Sequence, residues 1–247
     1  MLERTLEELG LNAWPALSSM LYDGWILRFG GGFTRRANSV NPLYASSLPL
    51  EEKIEVCEAA YARCKQASVF KLTTVSQPTT LDNVLAEAGY QGEATTSVQV
   101  ADLSRHALTL DPAISLTEHP SDQWLDDQAV LVGGPEPHRG VERLMLESIV
   151  PPKAFASLHW DGQPLAIGLA VAERGYVGLA SIVTAVEARN QGLGRRLVGH
   201  LLAWGQQQGA RTAYLAVMLD NAPALRLYAR FGFREAYRYW YRVKRQP

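Results

Sequence analysis

The chain has few of the features that mark secreted, metal-binding or membrane proteins. Its 247 residues include two cysteines and five histidines. Cys57 and Cys64 fall on one predicted helix, which indicates reduced thiols rather than a disulfide framework. The histidines show no metal-ligand spacing, so we expect no metal. The chain has no apolar run of the ~20 residues that a membrane span needs, and its acidic start does not resemble a secretory signal. We therefore expect a cytoplasmic protein without a membrane partner.

An excess of charge of either sign is also missing. The formal net charge is −1 and the isoelectric point is near 6.5. This balance argues against nucleic-acid binding, which requires a basic surface. Hydrophobic residues make up 47% and charged residues 20% of the chain, as in globular proteins. The length allows one large or two small domains, and we expect a monomer or homodimer.

A glycine-rich stretch between a predicted strand and a predicted helix is the most informative part of the chain. Residues 182–184 favour a strand, Gly192 and Gly194 let the backbone turn, and apolar residues then recur at helical spacing. Such a loop aims free N–H groups and the positive end of the helix dipole at one point, which suits a pyrophosphate. Three arginines add formal charge there: Arg189, Arg195 and Arg196.

Two familiar nucleotide-binding motifs do not match this loop. A Walker loop needs a Lys-Ser/Thr pair after its last glycine, where this chain has Arg195-Arg196. A Rossmann fingerprint needs a third glycine and an acidic residue at the end of the next strand, which here ends in Met218-Leu219. For the glycines alone, an ordinary strand-to-helix turn is the competing interpretation.

The residues downstream decide between these interpretations. A predicted strand over 212–218 is followed by Asn221, by ALRLY up to Tyr228 and by Gly232-Phe233. The whole run, RNQGLG…N…ALRLYARFGF, resembles the GCN5-related N-acetyltransferases (GNAT), over about the last half of the chain. The resemblance implies an α/β fold, with a mixed, mostly antiparallel sheet flanked by helices. It also implies acetyl-CoA as co-substrate and direct transfer of the acetyl group to a primary amine.

The resemblance also assigns roles to residues. A strand that splays from its neighbour binds the pantetheine arm, the glycine loop binds the pyrophosphate, and the asparagine contacts the coenzyme. The matching cofactor-binding residues are Ile182, Val183, Thr184, Arg189, Asn190, Gln191, Gly192, Leu193, Gly194, Arg195 and Asn221. Tyr228 matches the tyrosine near the sulfur, which can protonate the leaving thiolate. The alternatives are a helix cap for Asn221 and a core aromatic, packed on Leu225 and Phe233, for Tyr228.

A general base cannot be assigned from the sequence. Family members carry a glutamate at positions that match Ala216 or Gly178, and both are absent here. Other candidates are His159, Ser181, Glu147 or a water chain, and each of these side chains also has a structural interpretation.

The first half repeats the order of elements found at the end of the chain: a predicted helix, a Gly-aromatic pair and a closing strand. We therefore predict a tandem: a degenerate GNAT-like domain over 1–106 and a catalytic domain over 113–247, joined by a linker within 106–120. Within the first half we expect a strand at Trp25–Phe29, a returning strand over 35–40, and a helix capped by Thr79 or Thr80. The loop at 133–140 and the segment up to 153 are predicted to line one side of the acceptor site. Alternatively, they form a surface connection with no functional role.

The segment Gly24–Val40 resembles a narrower bacterial group of two-part GNAT proteins, some regarded as N-acetylglutamate synthases. Arg28, Arg35 and Arg36 could bind an acceptor carboxylate if this hairpin leans over the active site. Alternatively, they brace the interface between the halves. We expect a transferase acting on a small-molecule amine, such as an amino acid. The rivals are a protein N-terminal or lysine acetyltransferase, an acyl-CoA sensor, and an interaction protein that binds no coenzyme.

Overall fold

The computed structural model describes residues 2–104, 107–132 and 138–244. Within these ranges the chain forms one open, mostly antiparallel sheet of 11 strands, with seven α-helices on its faces. The strands are β1 (Ser18–Tyr22), β2 (Trp25–Phe29), β3 (Val40–Asn41), β4 (Ser68–Thr73), β5 (Gln91–Asp102), β6 (Ile114–Thr117), β7 (Lys153–Trp160), β8 (Gln163–Glu173), β9 (Tyr176–Thr184), β10 (Thr212–Met218) and β11 (Arg234–Lys244). The helices are α1 (Leu2–Ala13), α2 (Leu50–Arg63), α3 (Leu81–Glu87), α4 (Asp122–Val132), α5 (Arg139–Glu147), α6 (Leu193–Gln207) and α7 (Ala222–Ala229). In this part of the chain, no helix is long and apolar enough to cross a bilayer.

Two tight turns build the antiparallel run β7–β8–β9. The turn residues Asp161-Gly162 and Arg174-Gly175 all have φ between 49° and 79°. Positive φ at both central residues is the signature of hairpin turns whose twist matches the flanking strands. The run delivers β9 to the middle of the sheet.

The closing strands of the two halves are exchanged. The sheet order is β1-β2-β3-β4-β11-β5-β10-β9-β8-β7-β6. Thus β5, from the first half, lies between β10 and β11 of the second half, and β11 pairs on its other side with β4. The two halves therefore share one continuous set of backbone hydrogen bonds. The predicted tandem and its boundaries remain a prediction.

Three local predictions were wrong. Ile114–Thr117, inside the predicted linker, is the edge strand β6, which pairs with β7. Most of the predicted returning strand is irregular: residues 35–37 form a 3-10 turn, because the Asn38 carboxamide accepts from the N–H groups of Gly30 and Gly32 and closes the loop. Thr80 makes no side-chain cap because its backbone is already helical. His106 and residues 133–137 of the loop predicted to line the acceptor site lie outside the described residues.

Apolar residues fill both faces of the sheet. On one face, α6 and α7 pack on β8–β10 through residues such as Leu201 and Phe233. On the other face, α4 and α5 pack through Trp124 and Met145. That second cluster also contains Trp14 and Ala37 from the first half, so the N-terminal residues reach over the second half.

Candidate active site

A bulge interrupts β9 at the residues predicted to hold the pantetheine arm. Its register with β8 runs from Leu169↔Ala180 to Ile167↔Val183, so Gly168 faces both Ser181 and Ile182. Ser181 has φ of 50°, as expected for a residue pushed out of the pleat. A Cβ at Gly168 would lie 2.7 Å from Ile182 Cδ1, so the bulge needs glycine opposite it.

The bulge opens a gap between β9 and β10. The two strands pair in parallel only up to Leu179↔Leu215. Both continue beyond that pair, and β10 stays paired with β5 as far as Met218↔Thr96. The edge of β9 over residues 180–184 therefore faces a gap rather than a neighbouring strand. Ile182, Val183 and Thr184 lie on it and are half-buried, so a chain with amide groups can pair there like an added strand.

The glycine loop follows directly and leads into α6. Asn190 and Gly192 take left-handed backbone conformations, with φ of 61° and 81°. Residues 189–192 and Arg195 are exposed, Leu193 and Gly194 are half-buried, and α6 starts without a side-chain cap. Within the described chain, no acceptor meets the backbone N–H groups of residues 190–195. Free N–H groups at the positive end of a helix dipole are suited to an anion.

Charge at this loop differs from the prediction in one respect. Arg196 makes a two-pronged ion pair with Asp111, from Nε at 2.7 Å and Nη2 at 3.1 Å. The hydrogen bonds from Arg196 lower the pKa of Asp111. Arg189 and Arg195 are exposed, and no ion pair of theirs is found among the described residues. They are thus the arginines whose charge is available to a bound anion.

Helix α7, which follows Asn221 and contains Tyr228, packs against the glycine loop through Leu227. A Cβ at Gly194 would lie 3.3 Å from Leu227 of α7 and 3.4 Å from Thr184 Oγ1, so the three elements meet at the loop. Asn221 caps α7, because its side-chain oxygen accepts from Ala224 N at 3.2 Å. The capping interpretation is therefore confirmed, and a coenzyme contact through the remaining NH₂ group stays a prediction.

Tyr228 lies against the α6 face of the sheet. It is 8% exposed, and its ring packs on Phe233 with centroids 5.8 Å apart. Burial raises its pKa to about 12, so the phenol holds its proton at neutral pH. No described residue forms a hydrogen bond with its hydroxyl, which leaves that group available to a ligand. The packing matches the core interpretation and is compatible with the catalytic role.

Comparison with known proteins gives the family. A family model described as the C-terminal region of probable histone acetyltransferase Rv0428c matches residues 3–242. The uncharacterized N-acetyltransferase YobR of Bacillus subtilis is 30% identical over 98% of this chain and 98% of its own. The chain belongs to the GNAT acetyltransferases. Probable histone acetyltransferase Rv0428c of Mycobacterium tuberculosis is 29% identical over 94% of this chain and 70% of that protein.

Solved structures agree on the fold of this GNAT enzyme. A GCN5-related N-acetyltransferase from Kribbella flavida superposes with a TM-score of 0.68 at 15% identity, over 99% of this chain and 96% of that one. A tandem GNAT protein of clavulanic acid biosynthesis gives 0.57 at 14% identity, over 97% and 86%. The N-acetylglutamate synthase-like subgroup is not confirmed by these relatives and stays a prediction.

The structure explains why this GNAT enzyme lacks the expected base on β9. A Cβ at Gly178 would lie 2.5 Å from the ring of Tyr214, which fills the place of a side chain there. His159 Nε2 lies 2.9 Å from Asp127 Oδ2, and Glu147 pairs with Arg143 at 3.6 Å, so both have structural partners. Of the candidates named from the sequence, only Ser181 lies at the gap.

The arginines of the first half have three different environments. Arg28 is buried and donates to the carbonyls of Leu11, Trp14 and Arg36, and Arg35 pairs with Glu93. All four of these partners lie within residues 1–106, so the contacts stabilise the first half internally, and bracing of the interface between the halves stays a prediction. Arg36 instead lies with its guanidinium carbon 4.5 Å from the centre of the Trp14 ring.

A chamber beneath α1 was missed by the sequence analysis. It opens at the gap and is lined by residues distant in sequence, among them Glu7, Trp14, Arg36, Lys71, Ala180 and Ala216. We call it the α1 chamber. A charged residue on the apolar face of the first helix, Glu7 beside Leu6 and Leu9, is the signal that could have indicated it.

Proposed function

We propose that the chain transfers the acetyl group of acetyl-CoA to the primary amine of a small molecule. The gap between β9 and β10, which runs from the glycine loop to the α1 chamber, carries this proposal. An anion site alone would suit many phosphate ligands, and a gap alone could hold a peptide. A glycine loop that continues into a β-edge suits pyrophosphate joined to an amide-bearing arm.

The residues present fit that co-substrate. Backbone N–H groups of 190–195, with Arg189 and Arg195, would hold the pyrophosphate. The free edge of Ile182–Thr184 would pair with the arm, and Asn221 would contact it. An N–H of the bulge would stabilise the oxyanion that forms at the thioester carbon. GNAT acetyltransferases use acetyl-CoA, which supplies the activated acetyl group.

The transfer needs two proton movements. The acceptor amine must lose a proton, because only its free lone pair can form the C–N bond. As the C–S bond breaks, the Tyr228 hydroxyl would give a proton to the sulfur. Since no carboxylate occupies the usual positions, we propose that water in the gap takes the proton from the amine.

Two alternatives have specific support. The names of relatives include a probable histone acetyltransferase and, at 40% identity over 58 residues, a ribosomal protein bS18-alanine N-acetyltransferase. These names favour a protein acceptor. The missing base favours an acyl-CoA sensor. The net charge of −1 favours a small acceptor over a polycationic one. We further propose a cytoplasmic monomer or homodimer.

An acceptor screen tests the proposal. Free thiol released from acetyl-CoA is followed with amino acids, other small amines, a histone-tail peptide and a peptide with an N-terminal alanine, and acetyl-CoA binding is measured separately. We expect release with at least one small amine. Release with the peptides alone would favour the protein acceptor. Coenzyme binding without any release would favour the sensor, and absence of binding would reject all three.

A further inference from the structure

We propose that the α1 chamber is the acceptor site, and that it selects amines carrying a carboxylate, which Arg36 binds. The inference rests on the proposed function for the reaction, while the site itself is argued from the chamber's position and charge.

The chamber and the proposed coenzyme site are on opposite faces of one gap. Leu215 of β10 and Tyr228 belong to the core on the α6 and α7 side. Tyr214 packs instead on α1, and Ala216 shares its face because successive residues in a strand alternate. Ala180 and Ala216, the first residues beyond the last β9–β10 pair, line the chamber. An amine entering from the chamber therefore reaches the place where the arm would end.

The chamber carries more positive than negative charge. The lining residues that carry a formal charge at neutral pH are Glu7, Arg28, Arg36 and Lys71. Glu7 is 2% exposed and already has partners, since Lys71 Nζ lies 2.6 Å from one carboxylate oxygen and the Tyr237 hydroxyl donates to the other at 2.7 Å. That pair is neutral overall, which leaves the charges of Arg28 and Arg36 uncompensated.

Only one of those two arginines is free to bind a ligand. The Arg28 guanidinium donates to three backbone carbonyls. Its pKa is lowered to about 10, by burial first and then by the neighbouring charge of Arg36. Arg36 stacks on Trp14, and among the described residues no carboxylate lies within ion-pair distance of it. A stacked guanidinium keeps its N–H edge free, which suits the two oxygens of a carboxylate.

The same charges disfavour other acceptors. A second ammonium group, as in a polyamine, would be buried beside two like charges and without a free carboxylate. A carboxylate offsets the repulsion between the arginines, and the small side chains of Ala180 and Ala216 leave room for the amine near the gap. The chamber thus favours a zwitterionic acceptor such as an amino acid.

Matched acceptor pairs test this selectivity. kcat/KM is measured for L-amino acids and for their amides, in which a neutral carboxamide replaces the carboxylate, and it is expressed per free amine because the amine of the amide has the lower pKa. For the wild type we expect the acid to exceed its amide about 10-fold or more. In Arg36→Gln the preference for the acid should fall to about 2-fold, with acetyl-CoA affinity unchanged. In Arg36→Lys the preference should be intermediate, because lysine keeps the positive charge but lacks the paired N–H groups of a guanidinium. Arg238→Gln, which removes an exposed arginine paired with Glu235, should behave as wild type.

A binding experiment separates failure of this inference from failure of the proposed function. With CoA present, an N-acetyl amino acid and its amide are titrated into the wild type and into Arg36→Gln by calorimetry. Carboxylate-dependent binding that Arg36→Gln abolishes would support the site even if no acceptor released thiol. A wild type that prefers amides, or a preference that Arg36→Gln leaves intact in a folded variant, would overturn the inference.

Discussion

The helices α2 and α6 have the same connectivity, yet only the N-terminus of α6 is suited to an anion. Each helix joins two parallel strands, β3 to β4 and β9 to β10. Helix α2 begins after Pro49 and has Glu51 and Glu52 in its first turn. Helix α6 begins after a left-handed Gly192 and has no acidic residue in its first turn. Connectivity therefore provides a helix N-terminus in both halves, and the side chains of the first turn decide whether an anion can approach it.

The strands beside these helices differ as well. In the first half, β3 and β4 share the single pair Val40↔Phe70, and the space around it is filled by Trp25 and Tyr61, both fully buried. In the second half the space is the open gap. The first half is thus filled with side chains where the second half keeps an open gap. Its contribution to the α1 chamber comes from α1, from β4 and from the segment after β2, through Glu7, Lys71 and Arg36.

Tyr228→Phe is expected to have the largest effect on the reaction. When the Gly-aromatic pairs after α3 and α7 are aligned, Leu85 of the first half matches Tyr228. Removing the hydroxyl should lower kcat about 100-fold, because the thiolate loses its proton donor. Acetyl-CoA affinity and Tm should hardly change, since the hydroxyl has no described protein partner. An unchanged kcat in the variant would show that Tyr228 has only a structural role.

The pH dependence of Tyr228 follows from its burial. Its pKa is raised to about 12 in the folded protein, against about 10 for a free phenol. The resulting stabilisation is present below pH 10 and is lost as pH rises towards 12. We therefore expect Tyr228→Phe to unfold at higher pH than the wild type in an alkaline titration followed by circular dichroism. An identical titration would contradict the raised pKa.

Gly192→Val tests the loop that distinguishes α6 from α2. A β-branched residue at φ of 81° is strained, so the loop should rearrange. Losing two charge-assisted hydrogen bonds at about 1.5 kcal/mol each would weaken acetyl-CoA binding about 100-fold. Gly209→Val is the matched control, because Gly209 follows α6 with φ of 83° and also has open space around it. Equal loss of affinity in both variants would show that stability, and not the loop, is responsible.

Arg195→Glu gives the first turn of α6 an acidic residue, as α2 has. We expect acetyl-CoA affinity to fall about 10-fold at low salt, and the difference from wild type to shrink as salt screens it. Arg63→Glu, an exposed reversal on α2, makes the same change in net charge and should leave affinity unaltered. A similar loss in both variants would mean that only the overall charge matters.

Asp111→Asn should have the smallest effect, in the opposite direction. Asp111 pairs with Arg196, so its neutral variant releases a guanidinium beside the loop. The asparagine oxygen can still accept from Ala113 N. We expect acetyl-CoA to bind about 2-fold more tightly, measured by calorimetry at low salt. Weaker binding would show that the pair holds Arg196 in a position that the site needs.

The sequence was sufficient for the parts of this architecture that depend on local chemistry. Hydrophobic periodicity and glycine position predicted β9, the loop and α6, because each follows from residues close in sequence. The strand exchange and the α1 chamber were not predicted. Both depend on which strands pair and on side chains such as Glu7 and Lys71, 64 positions apart, meeting in the core. Periodicity carries no information on such contacts.

Because β5 and β11 are exchanged, each half needs a strand from the other half to complete its part of the sheet. A fragment ending before residue 113 would leave β4 and β5 without the strand that joins them, and a fragment starting there would separate β10 from β11. Each would expose long unpaired backbone edges, which invite association with other chains. Deleting the half without the glycine loop would therefore also disrupt the sheet of the half that contains it.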